Sequence, residues 1–196
     1  FINSRDTQLG NISANLVTFA VGGNISQADA TSSINTGSGS LYLYSASGGP
    51  GALNDVTLTN TNNTIGAVGG NLNGNLALNT SGDLGVRALQ FGNATLTVSG
   101  NINGMQAVTG NDLTVNTSNG GSVTMTNANT LTGTISANVA SGLTINNTGN
   151  TSLGNITAAS AGINVGGNGT LSQVSGTTVA VTSGLDITTA NGAATL

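Results

Sequence analysis

The chain has 196 residues and a net charge of −4, but only 4 % of its residues are charged. It has 31 glycines and one proline, and it lacks cysteine, histidine, lysine and glutamate. The composition excludes disulfides and thiolate metal sites, and without a basic patch it argues against nucleic acid or an anionic membrane surface as partners. No apolar run approaches the roughly 18 residues that a membrane span needs, so we predict no membrane insertion.

Apolar pairs with one outward residue between them, the period-2 signature of β-strands, recur along the chain. They recur at a constant spacing of about 20 residues in two blocks, which begin at Val56 and at Val123. Between the blocks the spacing becomes shorter, which we interpret as a shortened coil or an outward loop between Leu96 and Val123. The pairs are Val17/Phe19, Leu41/Leu43, Val56/Leu58, Leu76/Leu78, Leu96/Val98, Leu113/Val115, Val123/Met125, Leu143/Ile145, Ile163/Val165, Val179/Val181 and Leu185/Ile187.

A second apolar cluster follows most pairs by about half a period, and steps that contain glycine and asparagine separate the clusters. Such residues tolerate positive φ and bond to their own backbone, so these steps predict corners. Pro50, in a glycine-rich run, should lie in a loop because proline removes a ladder donor. The second clusters are Ile65/Val68, Val86/Leu89, Met105/Val108, Leu131/Ile135, Leu153/Ile156 and Leu171/Val174, and the corners include Gly69-Gly70-Asn71, Asn103-Gly104 and Asn119-Gly120.

The fixed period distinguishes between two architectures. Short strands with frequent turns fit an antiparallel sandwich or barrel, but hairpins have no reason to repeat at a constant spacing. A solenoid repeats in this way because each coil presents the same inward side chains to its neighbour. Crossover connections between parallel strands are right-handed. We therefore predict an all-β, right-handed parallel β-helix with about 20 residues and three short strands per coil, and roughly ten coils.

The carboxylates are dispersed along the chain rather than clustered as acid–base chemistry requires. Asp55 and Asp112 each stand immediately before an apolar pair, so we expect them to share a corner column three coils apart and to accept backbone N–H bonds. Asp83 and Arg87 are close enough in sequence for a surface ion pair, as are Arg5 and the residue after it, Asp6. We predict no catalytic, cofactor-binding or metal-binding residue in this chain, and that it is not an enzyme.

Two outward features have a functional alternative. Tyr42 and Tyr44 should lie on the outward face, either stacked on each other or covering a loop, or forming a patch that binds sugar or a partner. A column of outward threonines raises the alternative of an ice-binding solenoid. That column comprises Thr57, Ala77, Thr97, Thr114, Thr124, Thr144 and Asn164. The sequence does not identify a ligand-binding residue beyond these features.

Several short segments of the chain resemble the repeat region of filamentous haemagglutinin-type adhesins. They are Asn54-Asp55-Val56-Thr57-Leu58-Thr59-Asn60, Asp112-Leu113-Thr114-Val115 and Gly100-Asn101-Ile102. The resemblance covers nearly the whole chain but is one of repeat style, which autotransporter passengers share. It implies a right-handed β-helical rod exported by two-partner secretion. Residues 1–196 would then be a single shaft segment, internal to a much longer protein.

The resemblance implies a structural rod of a secreted bacterial surface adhesin or biofilm-matrix fibre, without catalysis. Its partners would be a surface or matrix polysaccharide or a host receptor, and an outer-membrane transporter during secretion. The alternative from another class is a fragment of a polysaccharide-active β-helix enzyme whose catalytic residues lie outside this segment.

Overall fold

The computed structural model describes residues 1–45 and 55–196, so the loop predicted at Pro50 lies outside the described residues. Within these ranges the chain forms 22 β-strands and no helix, and therefore no helix that could cross a membrane. In chain order the strands are β1 (Ile2–Asn3), β2 (Thr7–Leu9), β3 (Ile12–Ser13), β4 (Leu16–Val21), β5 (Ile25–Gln27), β6 (Ile34–Asn35), β7 (Ser40–Ser45), β8 (Val56–Leu58), β9 (Ala67–Asn71), β10 (Leu76–Thr80), β11 (Leu84–Gln90), β12 (Ala94–Val98), β13 (Ile102–Gly104), β14 (Val108–Gly110), β15 (Leu113–Thr117), β16 (Val123–Leu131), β17 (Thr134–Asn138), β18 (Gly142–Thr148), β19 (Thr151–Gly166), β20 (Leu171–Gln173), β21 (Val179–Thr189) and β22 (Ala194–Thr195).

Parallel pairing joins strands that lie one coil apart in the sequence rather than neighbours along the chain. β8 pairs with β10, for example, so that Val56 lies beside Leu76. The strands stack as a β-solenoid of about nine turns, with about 20 residues between equivalent positions. This confirms the predicted all-β parallel β-helix, with about nine turns where roughly ten were expected. At about 4.8 Å per turn the stack is about 40 Å long.

Two long ladders of strands run the length of the solenoid. The first ladder comprises β2, β5, β8, β10, β12, β15, β17 and the beginning of β19. The second ladder comprises β1, β4, β7, β9, β11, β13, β16, β18 and the end of β19. The second ladder bends within several of its strands. β11, for example, pairs with both β13 and β14, and its register against β9 shifts between Val86 and Leu89.

The register differs from the predicted one at some turns. Val56 lies beside Leu76 as the predicted period requires, but Leu76 then lies beside Ala94 rather than Leu96. Leu96 pairs instead with Leu78. A shift of two positions keeps every side chain on the same face of a strand. The inward face was therefore predicted correctly even where the stacking partner was not.

The break in the period between Leu96 and Val123 is a change of ladder, not a shortened coil or an outward loop. On the first ladder, Ala94 is followed one turn later by Leu113. Val123 lies on the second ladder, beside Ile102. The two blocks of constant spacing therefore belong to different sides of the solenoid, and the prediction that joined them into one column was wrong.

The apolar pairs supply the core. All eleven lie in strands, and those from Val17 to Val165 are buried. Leu78 is 1 % exposed, which confirms its predicted inward orientation. Each such side chain contributes about 1.5–3 kcal/mol by leaving water. In the last turn the pairs are only partly covered, and Leu185 is exposed.

Two members of the predicted second clusters are not core residues. Met105 and Val174 are 52 % and 39 % exposed. Met105 lies between β13 and β14, where the second ladder bends, and its side chain lies over the backbone of Gly85 in the preceding turn. Half-period spacing therefore does not by itself place a residue inside, because the bends re-aim side chains.

The glycine steps have two different roles. Asn119 and Gly120 form a turn with positive φ angles of 49° and 77°, which confirms a predicted corner. Gly69 and Gly70 lie inside β9, so the corner predicted there was wrong. Gly70 has a φ of 134°, and an added Cβ would overlap the backbone of Leu43 in the preceding turn. Only glycine fits that close approach between strands.

Buried asparagines hold the bends of the coils. Asn129 is 0 % exposed and uses its whole amide: its Oδ1 accepts from the Val108 N–H (3.0 Å), and its Nδ2 donates to the carbonyls of Met125 (3.0 Å) and Asn146 (2.8 Å). Such side chains satisfy backbone groups that the bend removes from the strand ladders. Within residues 1–45 and 55–196 the buried asparagines are Asn63, Asn129 and Asn147.

Candidate functional site

A column of aspartate and asparagine side chains, which we call the corner column, lies immediately before the strands of the first ladder. Each Oδ1 accepts a hydrogen bond from the backbone N–H at the equivalent position of the next turn. The donors and acceptors are Asn24 to Asp6 (2.8 Å), Asp55 to Asn24 (3.0 Å), Asn75 to Asp55 (2.8 Å), Asn93 to Asn75 (2.9 Å), Asp112 to Asn93 (3.2 Å) and Thr134 to Asp112 (2.7 Å). Asp55 and Asp112 therefore share a corner three turns apart, as predicted, and both accept backbone N–H bonds.

The corner column borders a surface groove lined in part by Asp55, Asn75 and Asn93. The corner column carries three carboxylates. Asp6 lies two turns from Asp55, about 10 Å away, and Asp112 lies three turns from Asp55, about 14 Å away, at about 4.8 Å per turn. The paired carboxylates of glycoside hydrolases lie about 5–9.5 Å apart. In residues 1–45 and 55–196 no three His, Cys, Asp or Glu side chains are grouped so that they could hold a metal ion. That the chain is not an enzyme stays a prediction.

Asp29 closes a turn of its own. Its Oδ1 accepts from the hydroxyl (2.7 Å) and backbone N–H (2.8 Å) of Thr31, and from the N–H (2.8 Å) and hydroxyl (3.0 Å) of Ser32. These hydrogen bonds, the Thr31 hydroxyl first, hold the pKa of Asp29 below its ordinary value, because they favour the charged carboxylate. This is a structural turn rather than an acid–base site.

Neither predicted ion pair forms, although all four residues lie in the described part of the chain. Asp83 accepts from the backbone N–H of Asn101 (2.7 Å), and Asp6 accepts from that of Asn24 (2.8 Å). The Nε of Arg87 donates instead to the hydroxyl of Ser40, two turns away on the second ladder (3.2 Å). A backbone N–H that is fixed by the fold competes well with a flexible guanidinium at the surface, where an ion pair contributes little.

The two tyrosines stack on each other. Tyr42 and Tyr44 lie on β7 with ring centroids 6.3 Å apart and ring planes 7° from parallel. Tyr44 is 41 % exposed. Tyr42 faces Gly69 of the next turn, where an added Cβ would lie 3.2 Å from the Tyr42 ring. The structure therefore matches the prediction of a stacked pair and leaves an exposed aromatic surface on the second ladder.

Arg87 reaches this surface through a β-bulge. Val68 pairs with Val86 and Gly70 with Leu89, so Arg87 and Ala88 together face the single residue Gly69. An added Cβ at Gly69 would lie 3.0 Å from the Cβ of Arg87. A bulge re-aims a side chain relative to a regular strand, and here it brings the guanidinium stem beside Tyr42.

Two amide side chains extend the same surface. Tyr44 faces Asn71 in the next turn, and Asn71 faces Gln90 in the turn after that. The Asn71 and Gln90 side chains are exposed and border a groove that also contacts Ala88 and Thr109. Among the described residues neither side chain has a hydrogen-bond partner, whereas the Nδ2 of Asn79 on the first ladder donates to the carbonyl of Thr59 (3.2 Å).

We call this surface the tyrosine–arginine patch. Sequence reasoning found its tyrosines but missed the others, because Arg87 lies far beyond Tyr42 in the sequence and its local sequence predicted a pair with Asp83. Only the pairing register between successive turns brings these residues together, and the β-bulge in β11 shifts that register. The patch comprises Ser40, Tyr42, Tyr44, Asn71, Arg87 and Gln90.

The predicted threonine column is not a single column. Thr57 is followed on the first ladder by Ala77, Thr95 and then Thr114. Thr124 lies on the second ladder. The regular threonine face that raised the ice-binding alternative is therefore divided between two sides of the solenoid.

Comparison with known proteins gives no relative from which a function could be transferred. No protein-family model, no curated protein and no solved structure matches the chain.

Proposed function

We propose that this chain is a structural shaft of a secreted bacterial surface adhesin or biofilm-matrix fibre. One observation carries the proposal: a single apolar core and two parallel ladders run without interruption from one end of the described solenoid to the other. Such a stack grows in length by adding turns and resists bending because each turn bonds to both neighbours. Reach and rigidity are what a surface shaft requires.

The outward surface supports the same role. It is rich in uncharged Thr, Ser and Asn, and the corner column joins successive turns through neutral or singly charged side chains. Like charges stacked one above another would repel along such a rod. The resemblance to filamentous haemagglutinin-type repeats supports export through an outer-membrane transporter. The partner we propose is a surface or matrix polysaccharide or a host receptor.

A shear assay tests this function. The chain is tethered to beads through a tag at one end, and bead retention is measured on surfaces coated with bacterial matrix polysaccharides or with host cells. The matched control carries Leu78→Asp, which places an unpaired charge in the core. We expect retention that depends on the folded chain.

Equal retention of both bead types on every surface would contradict an adhesive role. In parallel, each polysaccharide is incubated with the free chain and examined for cleavage products. Released oligosaccharides would contradict the shaft proposal and support a polysaccharide-active enzyme instead.

A further inference from the structure

We infer that the tyrosine–arginine patch binds an acidic polysaccharide, a pyranose chain that carries carboxylate or sulfate groups. The inference rests on the proposed adhesive role and identifies where on the rod contact occurs and with which chemistry. The patch concentrates rare residues: the chain has two tyrosines, no tryptophan and two arginines, and both tyrosines and one arginine lie on this side of the second ladder.

The tyrosines supply the platform for a sugar ring. The C–H face of a pyranose packs on the face of an aromatic ring, and a tyrosine hydroxyl at the ring edge bonds to sugar hydroxyls. Tyr42 and Tyr44 hold their rings 7° from parallel, and Gly69 leaves room for Tyr42 to lie against the next turn. Mutual stacking fixes both rings in advance, so little side-chain freedom is lost on binding.

Arg87 supplies the charge recognition. Its Nε is held by the Ser40 hydroxyl at 3.2 Å, and its terminal nitrogens have no hydrogen-bond or ion-pair partner among residues 1–45 and 55–196. The nearest carboxylate in sequence, Asp83, is already bonded to Asn101 (2.7 Å). A planar guanidinium fork in this state matches a carboxylate or sulfate bidentately.

The amide side chains complete a site for a polysaccharide rather than for a free anion. Asn71 and Gln90 lie one and two turns beyond Tyr44, with exposed groups that both donate and accept. Hydroxyl groups of successive sugar units need such partners. The groove that these amides border continues to Thr109 of the following turn, so the site extends across turns, along the rod axis.

The test measures binding of the full chain, captured at high density on a sensor, to three oligosaccharides of equal length: an oligouronate, a sulfated oligosaccharide and a neutral oligosaccharide. Inorganic sulfate alone is a fourth probe. High density matters because a single shallow site binds weakly and multivalent presentation raises the apparent affinity. We expect one or both acidic oligosaccharides to bind at least about tenfold more tightly than the neutral one and than sulfate.

Variants locate the binding. Arg87→Gln should lower the affinity for the acidic oligosaccharide at least about tenfold, and Tyr44→Ala about fivefold. Arg5→Gln is the matched control, since it removes the other arginine and should change nothing. Thermal unfolding of each variant checks that the solenoid is intact. Binding should also weaken as salt is raised above physiological ionic strength.

Equal losses in Arg87→Gln and Arg5→Gln would overturn the inference, as would equal binding of neutral and acidic oligosaccharides, or binding of sulfate alone. Tighter binding of the oligouronate or of the sulfated oligosaccharide identifies whether the site recognises carboxylate or sulfate groups. If beads were retained on surfaces that lack acidic polysaccharide while the chain bound none of the oligosaccharides, the proposed binding site would be overturned. The proposed shaft function would still stand.

Discussion

Replacing Asn129 by alanine tests whether the solenoid depends on its buried asparagines. The side chain is fully buried and accepts from the Val108 N–H while donating to two backbone carbonyls. In Asn129→Ala the Val108 N–H loses its partner inside the protein, which costs about 1–3 kcal/mol. The two lost donated bonds contribute about 0.5–1.5 kcal/mol each. We expect a total loss of about 2–6 kcal/mol in the free energy of unfolding.

The assay is urea unfolding followed by far-UV circular dichroism, and the control is Asn138→Ala. Asn138 is an exposed asparagine of β17 whose side chain has no hydrogen-bond partner among the described residues. Its replacement should change stability by less than about 0.5 kcal/mol. Because solenoids can unfold in steps, the comparison holds only if both variants keep the wild-type slope against urea. Indistinguishable losses of stability in the two variants would refute the reasoning.

Three further perturbations test the core, the strand contact and the charged turn. Leu78→Asp should cost several kcal/mol in urea unfolding and Thr97→Ser almost nothing, and similar midpoints would contradict the inward assignment. Gly70→Ala should cost at least about 3 kcal/mol through its positive φ and backbone overlap, whereas Gly184→Ala, which has open space, should be nearly neutral; equal thermal midpoints would disprove the overlap. Because the folded pKa of Asp29 is depressed, its stabilising contribution is present above the ordinary aspartate pKa of about 3.9 and is lost as pH falls through the lower folded value. NMR titration of the Asp29 carboxyl should therefore give a midpoint below that value, and a midpoint at or above it would count against the turn.

Alternation of apolar and polar residues predicted which side chains lie inside. That information is local, because successive residues of a strand point to opposite faces. Leu76 and Leu78 are both inward whether Leu76 lies beside Leu96 or, as it does, beside Ala94. The same property explains the wrong register: a shift of two positions leaves the pattern unchanged, and only the lengths of the corners select one pairing.

The corner column was partly predictable. Asp55 and Asp112 each precede an apolar pair, and this local signal was enough to place them on one corner. The intervening members, Asn75 and Asn93, carry the same signal in a chain so rich in asparagine that it is easily missed. Burial was not predictable in the same way. Asn147 is buried while its neighbour Asn146 is half-exposed, and the difference lies in how each bend is packed.

The sequence by itself determined an all-β chain of short strands, an inward aliphatic face and a solenoid with a period of about 20 residues. These follow from the alternation of apolar and polar positions and from corner residues, both of which act over a short stretch of chain. Only the tertiary structure decided which ladder each pair joins, where asparagines replace backbone partners, and that Arg87 and Tyr42 both border Gly69. Those outcomes depend on the exact number of residues in each turn and on a bulge, and a change of a single residue in either would move every partner in the next turn.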